Sequence, residues 1–463
     1  MSRTIRTSRS PGFARHGRWK GGLALLATLA LLLSACGGDP DDDAAEAPAD
    51  DAPDDTDEAA EEDADEDGEA DAPDDGEDVT LEVYSWRTED AEAYGEIFAA
   101  FEAEHPGITV DFTPYSATDY NQILQTALQS GAGPDILQLR PYMAGQEIAD
   151  QGYLEPLDDL EGIDQFPEEF LDASRGEDGQ VYGVPLATNA TMILTNRALF
   201  EEHGLSEPTT WSELLDVSEE FQSAGIVPFA QAADEAWLLS LAHAAVAPGA
   251  YGEQFVEDIR EGTTDFTDPG FRASIERMDE LQQYFPDNFV GISDQEASTM
   301  FATEEAAMII HGDFQLDTIL DLNPDLDVGV VPSLPDDDGE ALLTTWVDGS
   351  YAAYADTDHP EEARQLLAYM TTQEFGEAFT NLLNRTSPVP GVEADSELRR
   401  ELIELTAEQS TPYLILTDFA GSSPNTKEEF ENALQGMYVG ELEVGDVEDT
   451  AQRSAEQWYE PFQ

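Results

Sequence analysis

Val79, Leu81 and Val83 alternate with polar positions, the period of a half-buried strand. Thr88 follows as a helix cap with Glu89 and Asp90 in the first turn, and Tyr94, Ile97, Phe98 and Phe101 then share one helical face. Pro106-Gly107 interrupts, and Ile108 to Phe112 form a second strand. Tyr120, Ile123, Leu124 and Leu128 mark a second helix, which Gly131-Ala132-Gly133-Pro134 stops ahead of a third strand, Asp135 to Leu139. Strand alternating with helix predicts a parallel sheet with right-handed crossovers. Ligands of such sheets sit beyond the carboxyl ends of the strands, where Trp86 and Arg140 fall.

Further along, Gln180 to Pro185, Met192 to Asn196, Ala307 to Ile310, Val328 to Val331 and Leu342 to Tyr354 read as strands. Thr210 and Glu213 stand at capping-box spacing before a helix that buries Leu214, Leu215 and Phe221. Helical patterns occupy 235–246, 250–261 and 270–285, and Pro360 suits the first turn of another helix. From about residue 395 the chain reads mostly helical, and no repeat of 20–50 residues occurs.

Charge changes this picture in two places. Residues 39–78 hold 23 Asp or Glu and no Lys or Arg. Such a segment cannot bury enough apolar surface to offset its ordering entropy, so 37–78 is expected to be a disordered, self-repelling tether. The body, 79–463, carries 78 acids against 13 bases, a net charge of −65. That balance excludes nucleic acid as a partner, because no basic patch is available to neutralise phosphates. It also fits an acidic, salt-adapted protein, whose self-repulsion high ionic strength screens.

Cys36 is the sole cysteine, so no intramolecular disulfide forms. Six bases precede an uncharged run from Gly21 to Leu33, and then Leu33-Ser34-Ala35-Cys36-Gly37. The pattern is that of an export signal over 1–35. It resembles a bacterial lipobox, which implies lipidation at Cys36 and a place on the outer face of the cell membrane. The six histidines show no metal-ligand spacing, and no P-loop or Gly-x-Ser-x-Gly is present, so no cofactor or metal is expected.

The order of several strings resembles the extracellular solute-binding proteins of ABC importers, in the sugar-binding, maltose-binding-protein-like family 1. They are Ser85-Trp86 after the first strand, Gly133-Pro134-Asp135-Ile136, Tyr153-Leu154-Glu155-Pro156-Leu157 and Tyr182-Gly183-Val184-Pro185. Thr195-Asn196-Arg197, Pro208-Thr209-Thr210-Trp211, Phe301 through Met308 to Gly312, and His359-Pro360-Glu361-Glu362-Ala363 continue the set. The resemblance implies an α/β, two-lobe, periplasmic-binding-protein-like fold of type II, with hinged lobes that each hold a central sheet flanked by helices. Lobe one is expected over 79–188 plus 334–391 and lobe two over 192–331 plus 394–463. The chain would cross near Thr188–Thr191, near Val331–Leu334 and near Pro390. A monomeric receptor is implied, binding a sugar or oligosaccharide between the lobes, delivering it to a membrane permease and catalysing nothing.

A sugar site needs flat aromatic surfaces and a few fixed polar groups. The candidate ligand residues are Trp86, Arg140, Asn189, Trp237, Asp313, Phe314, Trp346 and Asp348. Asn189 is included because the family places a polar contact at the first crossing. Asp313 and Phe314 match a family position that often carries an aromatic plate. Structural alternatives stay open: Trp86 packed on the first helix, Trp237 in a helix core, Arg140 in a surface ion pair, Asp348 in a solvated turn. Trp211 reads as structural. Two other functions also stay open, a receptor for a non-sugar solute such as a polyamine and an anchored secreted glycoside hydrolase, since acids are everywhere in the chain.

Overall fold

The computed structural model describes residues 78–117, 119–336, 339–421 and 423–463. The expected export signal, Cys36 and the tether up to residue 77 lie outside the described residues. The described residues contain eleven strands: β1 (Val79–Ser85), β2 (Ile108–Pro114), β3 (Ile136–Leu139), β4 (Val184–Pro185), β5 (Thr188–Asn196), β6 (Val227–Ala230), β7 (Ala306–Gly312), β8 (Val328–Val331), β9 (Leu343–Val347), β10 (Ser350–Ala353) and β11 (Ser410–Pro412).

β1 pairs parallel with β2 on one side and β3 on the other, with Leu81 beside Val110 and Val83 beside Ile136. The intervening helices, Ala91–Glu104 and Tyr120–Ser130, bury the apolar faces expected of them. The first cap differs from expectation. Asp90, not Thr88, takes the N-cap position and makes no capping bond, because its carboxylate turns toward Arg385. At Thr210 the hydroxyl accepts from the Glu213 N–H, but Glu213 reaches back to Thr209 and not to Thr210, so half of the expected box forms.

Strand order separates two sheets. The first runs β2-β1-β3-β10-β4, and the second β11-β9-β5-β7-β6 with β8 added beside β5. Every residue of β5 is buried, consistent with a strand paired on both edges and covered on both faces. Each sheet has its own core. The first gathers Leu81, Tyr94, Leu137, Tyr351, Leu366 and Phe375, and the second Met192, Phe229, Phe271, Met308, Leu343 and Phe430.

Three segments cross between the sheets. One joins β4 to β5 through Leu186-Ala187, and one joins β9 to β10 through Asp348-Gly349. They are laced together, Leu186 N–H donating to the Gly349 carbonyl at 2.8 Å and Asp348 N–H to the Ala187 carbonyl at 2.9 Å. Beside them Thr188 N–H donates to the Thr386 carbonyl at 2.9 Å, on the third passage. Gly349 has φ +131, and a Cβ there would stand 2.5 Å from the Trp86 ring, so glycine alone fits. The crossing expected near Val331–Leu334 comes later. Leu334 packs in the second core and β9 pairs with β5, so the chain leaves the second sheet only at Asp348.

Candidate functional site

The strand directions bring one end of each sheet together. β1 and β3 end, and β10 begins, at the edge where the crossings leave the first sheet. β6, β7, β9 and β11 end, and β5 begins, at the edge where they enter the second. Between these elements lies a cavity of about 740 Å³. Tyr142, Met143, Phe170, Asp172 and Arg175 line it from the first-lobe side. Gln254, Glu257, Arg260, Trp346, Pro412 and Asp418 line it from the second.

Trp346 is the candidate residue that faces this cavity. It is the next-to-last residue of β9, opposite Asn189 on β5, and its ring is tilted against Tyr413, centroids 5.7 Å apart. Phe314 meets it edge to face at 6.4 Å and is 37% exposed, so the two rings form an aromatic corner, one ring buried and one partly exposed. The Phe314 ring folds back over Gly312, where a Cβ would stand 2.1 Å from it. His311 braces the corner: its Nδ1 accepts from the Gly312 N–H, its Nε2 pairs with Asp294 at 2.8 Å, and its ring lies 5.3 Å from Phe314. The Asn189 amide makes no hydrogen bond to another described residue, so it is uncommitted at the crossing.

The other candidates are arranged differently. Trp86 is 4% exposed. Tyr120 lies edge to face on it at 5.5 Å, and the Arg140 guanidinium covers a face at 4.1 Å. Arg140 has no carboxylate partner among the described residues and donates to Asn121 and to the Ala117 carbonyl. Burial lowers its pKa. Asp348 pairs with Arg87, an ion pair at the second crossing and not a solvated turn. Asp313 is buried, and its two oxygens are taken by Arg399 and the Ala190 N–H, each at 2.9 Å. Burial raises the Asp313 pKa, and Arg399 opposes that rise. Trp237 is 36% exposed at the start of its helix, with its indole N–H given to Glu235, so it is no helix-core residue. Trp211 is buried in the second core, with Arg277 4.6 Å above its ring.

Sequence reasoning missed most of the wall. Arg260 holds Asp418 with two hydrogen bonds of 2.9 and 3.0 Å. Burial alone would lower the Arg260 pKa, but the Asp418 carboxylate carries it upward. Arg175 is tied to Asp172 and Glu168. Tyr142, three positions beyond β3, has φ +59 and ψ −138, which costs a residue with a side chain roughly 1–3 kcal/mol. Its place after a strand end was the available signal, whereas no local pattern marks Arg260 or Asp418.

Residues 84–377 match the family model described as bacterial extracellular solute-binding protein. The chain is 26% identical over 330 residues to the multiple sugar-binding protein of Streptococcus mutans, covering 69% of this chain and 77% of that one. Among solved structures it is similar to unliganded RafE of Streptococcus pneumoniae, with a TM-score of 0.71, 22% identity, and coverage of 81% and 97%. It is also similar to a chitin oligosaccharide binding protein, with a TM-score of 0.67, 23% identity, and coverage of 82% and 99%.

Proposed function

Because this chain belongs to the bacterial extracellular solute-binding protein family, we propose that its cavity is the solute site of an ABC-importer receptor and that the solute is an oligosaccharide. The observation that carries the reading is the aromatic corner. Trp346 forms part of the cavity wall, the partly exposed Phe314 ring stands edge to face beside it, and Asn189 lies opposite Trp346 on β5. Apolar plates with a few fixed polar groups suit the C–H faces and hydroxyl rims of sugars. A cavity of about 740 Å³ lies within the range of small-molecule sites. The S. mutans relative is named for sugar binding, and RafE has been seen with raffinose.

In this reading the two lobes close about the three crossing segments, and the closed form docks on a permease. Cys36 supplies a lipid anchor at the outer face of the membrane and the acidic segment after it a spacer. Among the described residues no helix is long and apolar enough to cross a membrane. The solute is held without chemical change. Asp172 and Asp418 of the wall are each taken by an arginine, while Glu169, Glu253 and Glu257 stand exposed.

Those three exposed glutamates, which form no ion pair among the described residues, favour a second reading, a cationic solute such as a polyamine. One screen separates the two. The melting temperature of the chain is measured with raffinose, stachyose, galactose, chitin oligosaccharides and spermidine. A bound solute at a hundred times its Kd adds about 2.7 kcal/mol of stability. An oligosaccharide shift without a spermidine shift is expected, and the reverse result sinks the carbohydrate reading.

A further inference from the structure

Building on the two-lobe reading above, we propose that Tyr142 is a positioning residue for the Trp346 plate. It carries the placement of the first lobe to the end of β9, so that the plate is held in register only when the lobes are together.

The backbone at Tyr142 is held in its positive-φ conformation from several sides. Its N–H donates to the Ala173 carbonyl at 2.7 Å, and its carbonyl accepts from Gly145 and Gln146 at 3.0 and 2.9 Å. Gly145 permits the tight turn, since a Cβ there would stand 2.3 Å from the Arg140 carbonyl oxygen. A strained residue persists only where its surroundings over-determine it, and such residues concentrate at ligand clamps and switch regions.

The side chain then leaves the first lobe. Its ring packs against the second core and against Phe170, Ala173 and Val347. Its hydroxyl accepts the Val347 N–H at 3.0 Å. Val347 is the last residue of β9, directly after Trp346 and directly before the crossing at Asp348. Tyr142 and Trp346 also line the same cavity. If the lobes separate, the hydroxyl withdraws, the Val347 N–H turns to water, and the end of β9 loses a tie beside its plate. A solute that touches Trp346 therefore favours the docked state of Tyr142, and a docked Tyr142 presents a fixed plate.

Tyr142→Phe in the full chain, with no sugar added, tests this. The variant keeps the ring and removes the acceptor. Hydrogen exchange at the Val347 amide is expected to speed up roughly tenfold or more, as the loss of one hydrogen bond allows. Exchange in the interiors of both sheets and the melting temperature should stay close to the parent. The Trp346 indole N–H signal in a ¹⁵N spectrum, identified by its loss in Trp346→Phe, should shift or broaden while that of Trp86 does not. X-ray scattering should show a larger radius of gyration. Unchanged exchange at Val347 together with an unmoved Trp346 signal would overturn the proposal. Faster exchange throughout the chain with a lowered melting temperature would overturn it too, as the mark of a merely structural residue. No solute enters these measurements, so their outcome is independent of the carbohydrate reading.

Discussion

A tryptophan at a strand end holds a sugar only where an indole face is left open to it. Trp86 has none to spare, with Arg140 over a face, Tyr120 against it and Gly349 beside its edge. Its truncation to alanine is expected to act on stability, by about 3–5 kcal/mol as for other large-to-small core changes, with little effect on solute affinity beyond that. Trp346 is buried in the second core but forms part of the cavity wall, so its truncation to alanine should weaken the best sugar at least about tenfold in addition to its cost in stability. Titration calorimetry beside thermal melting separates the two. Equal losses of affinity would return Trp86 to the solute site. Asp313 and Asp348 follow the same logic. Arg399 and Arg87 each hold one of these carboxylates, so their replacement is expected to act first on stability.

Among the elements, the helix Ala236–Val246 shows what burial does to a titratable group. It is buried almost around its whole circumference, and His243 sits inside it between Phe271 and Phe430 with Ser274 at 2.7 Å. Burial pushes the imidazole from 6.5 down to about 3. Between about pH 6.5 and about pH 3 the unfolded chain therefore binds a proton that the folded chain refuses. This group's share of stability is full above that window and is lost as pH falls through it, by about 1.4 kcal/mol per pH unit. Denaturant melts of His243→Gln between pH 7 and pH 4 should show a shallower decline than the parent. Parallel curves would mean that His243 takes up its proton in the fold as readily as in the unfolded chain. β6 and β11 were not legible as strands, because Val227-Pro228-Phe229-Ala230 and Ser410-Thr411-Pro412 are short and carry prolines. They exist because β7 and β9 offer them edges to pair with.

At the scale of the whole molecule, the excess of negative charge governs behaviour in solution. Of the 13 basic side chains of the body, ten pair with carboxylates among the described residues, which leaves most of the 78 acids without a basic partner there. The Debye length shrinks from about 10 Å at 0.1 M salt to about 3 Å at 1 M, so added salt removes repulsion faster than it weakens the few buried pairs. The melting temperature is expected to climb as sodium chloride rises from 0.1 to 2 M. A flat or falling curve would remove salt adaptation as the reason for this composition.

Local order was readable because its causes are local. The period of Val79, Leu81 and Val83, the face of Tyr94, Ile97 and Phe101, and the stop at Gly131 lie within a few neighbours of one another. The succession of strands and helices, with strings such as Gly133-Pro134-Asp135, was enough to point to the two-sheet architecture. Tertiary structure alone decided where β9 hands over to β10, because that depends on β5 accepting Leu343–Val347 as a neighbour far away in the chain. It alone decided which indole a guanidinium covers and which lines the cavity, because neither Trp86 nor Trp346 encodes its distant neighbours. The cavity wall is of the same kind: Tyr142, Arg260 and Asp418 belong to three separate stretches that only the packing of two cores brings to one place.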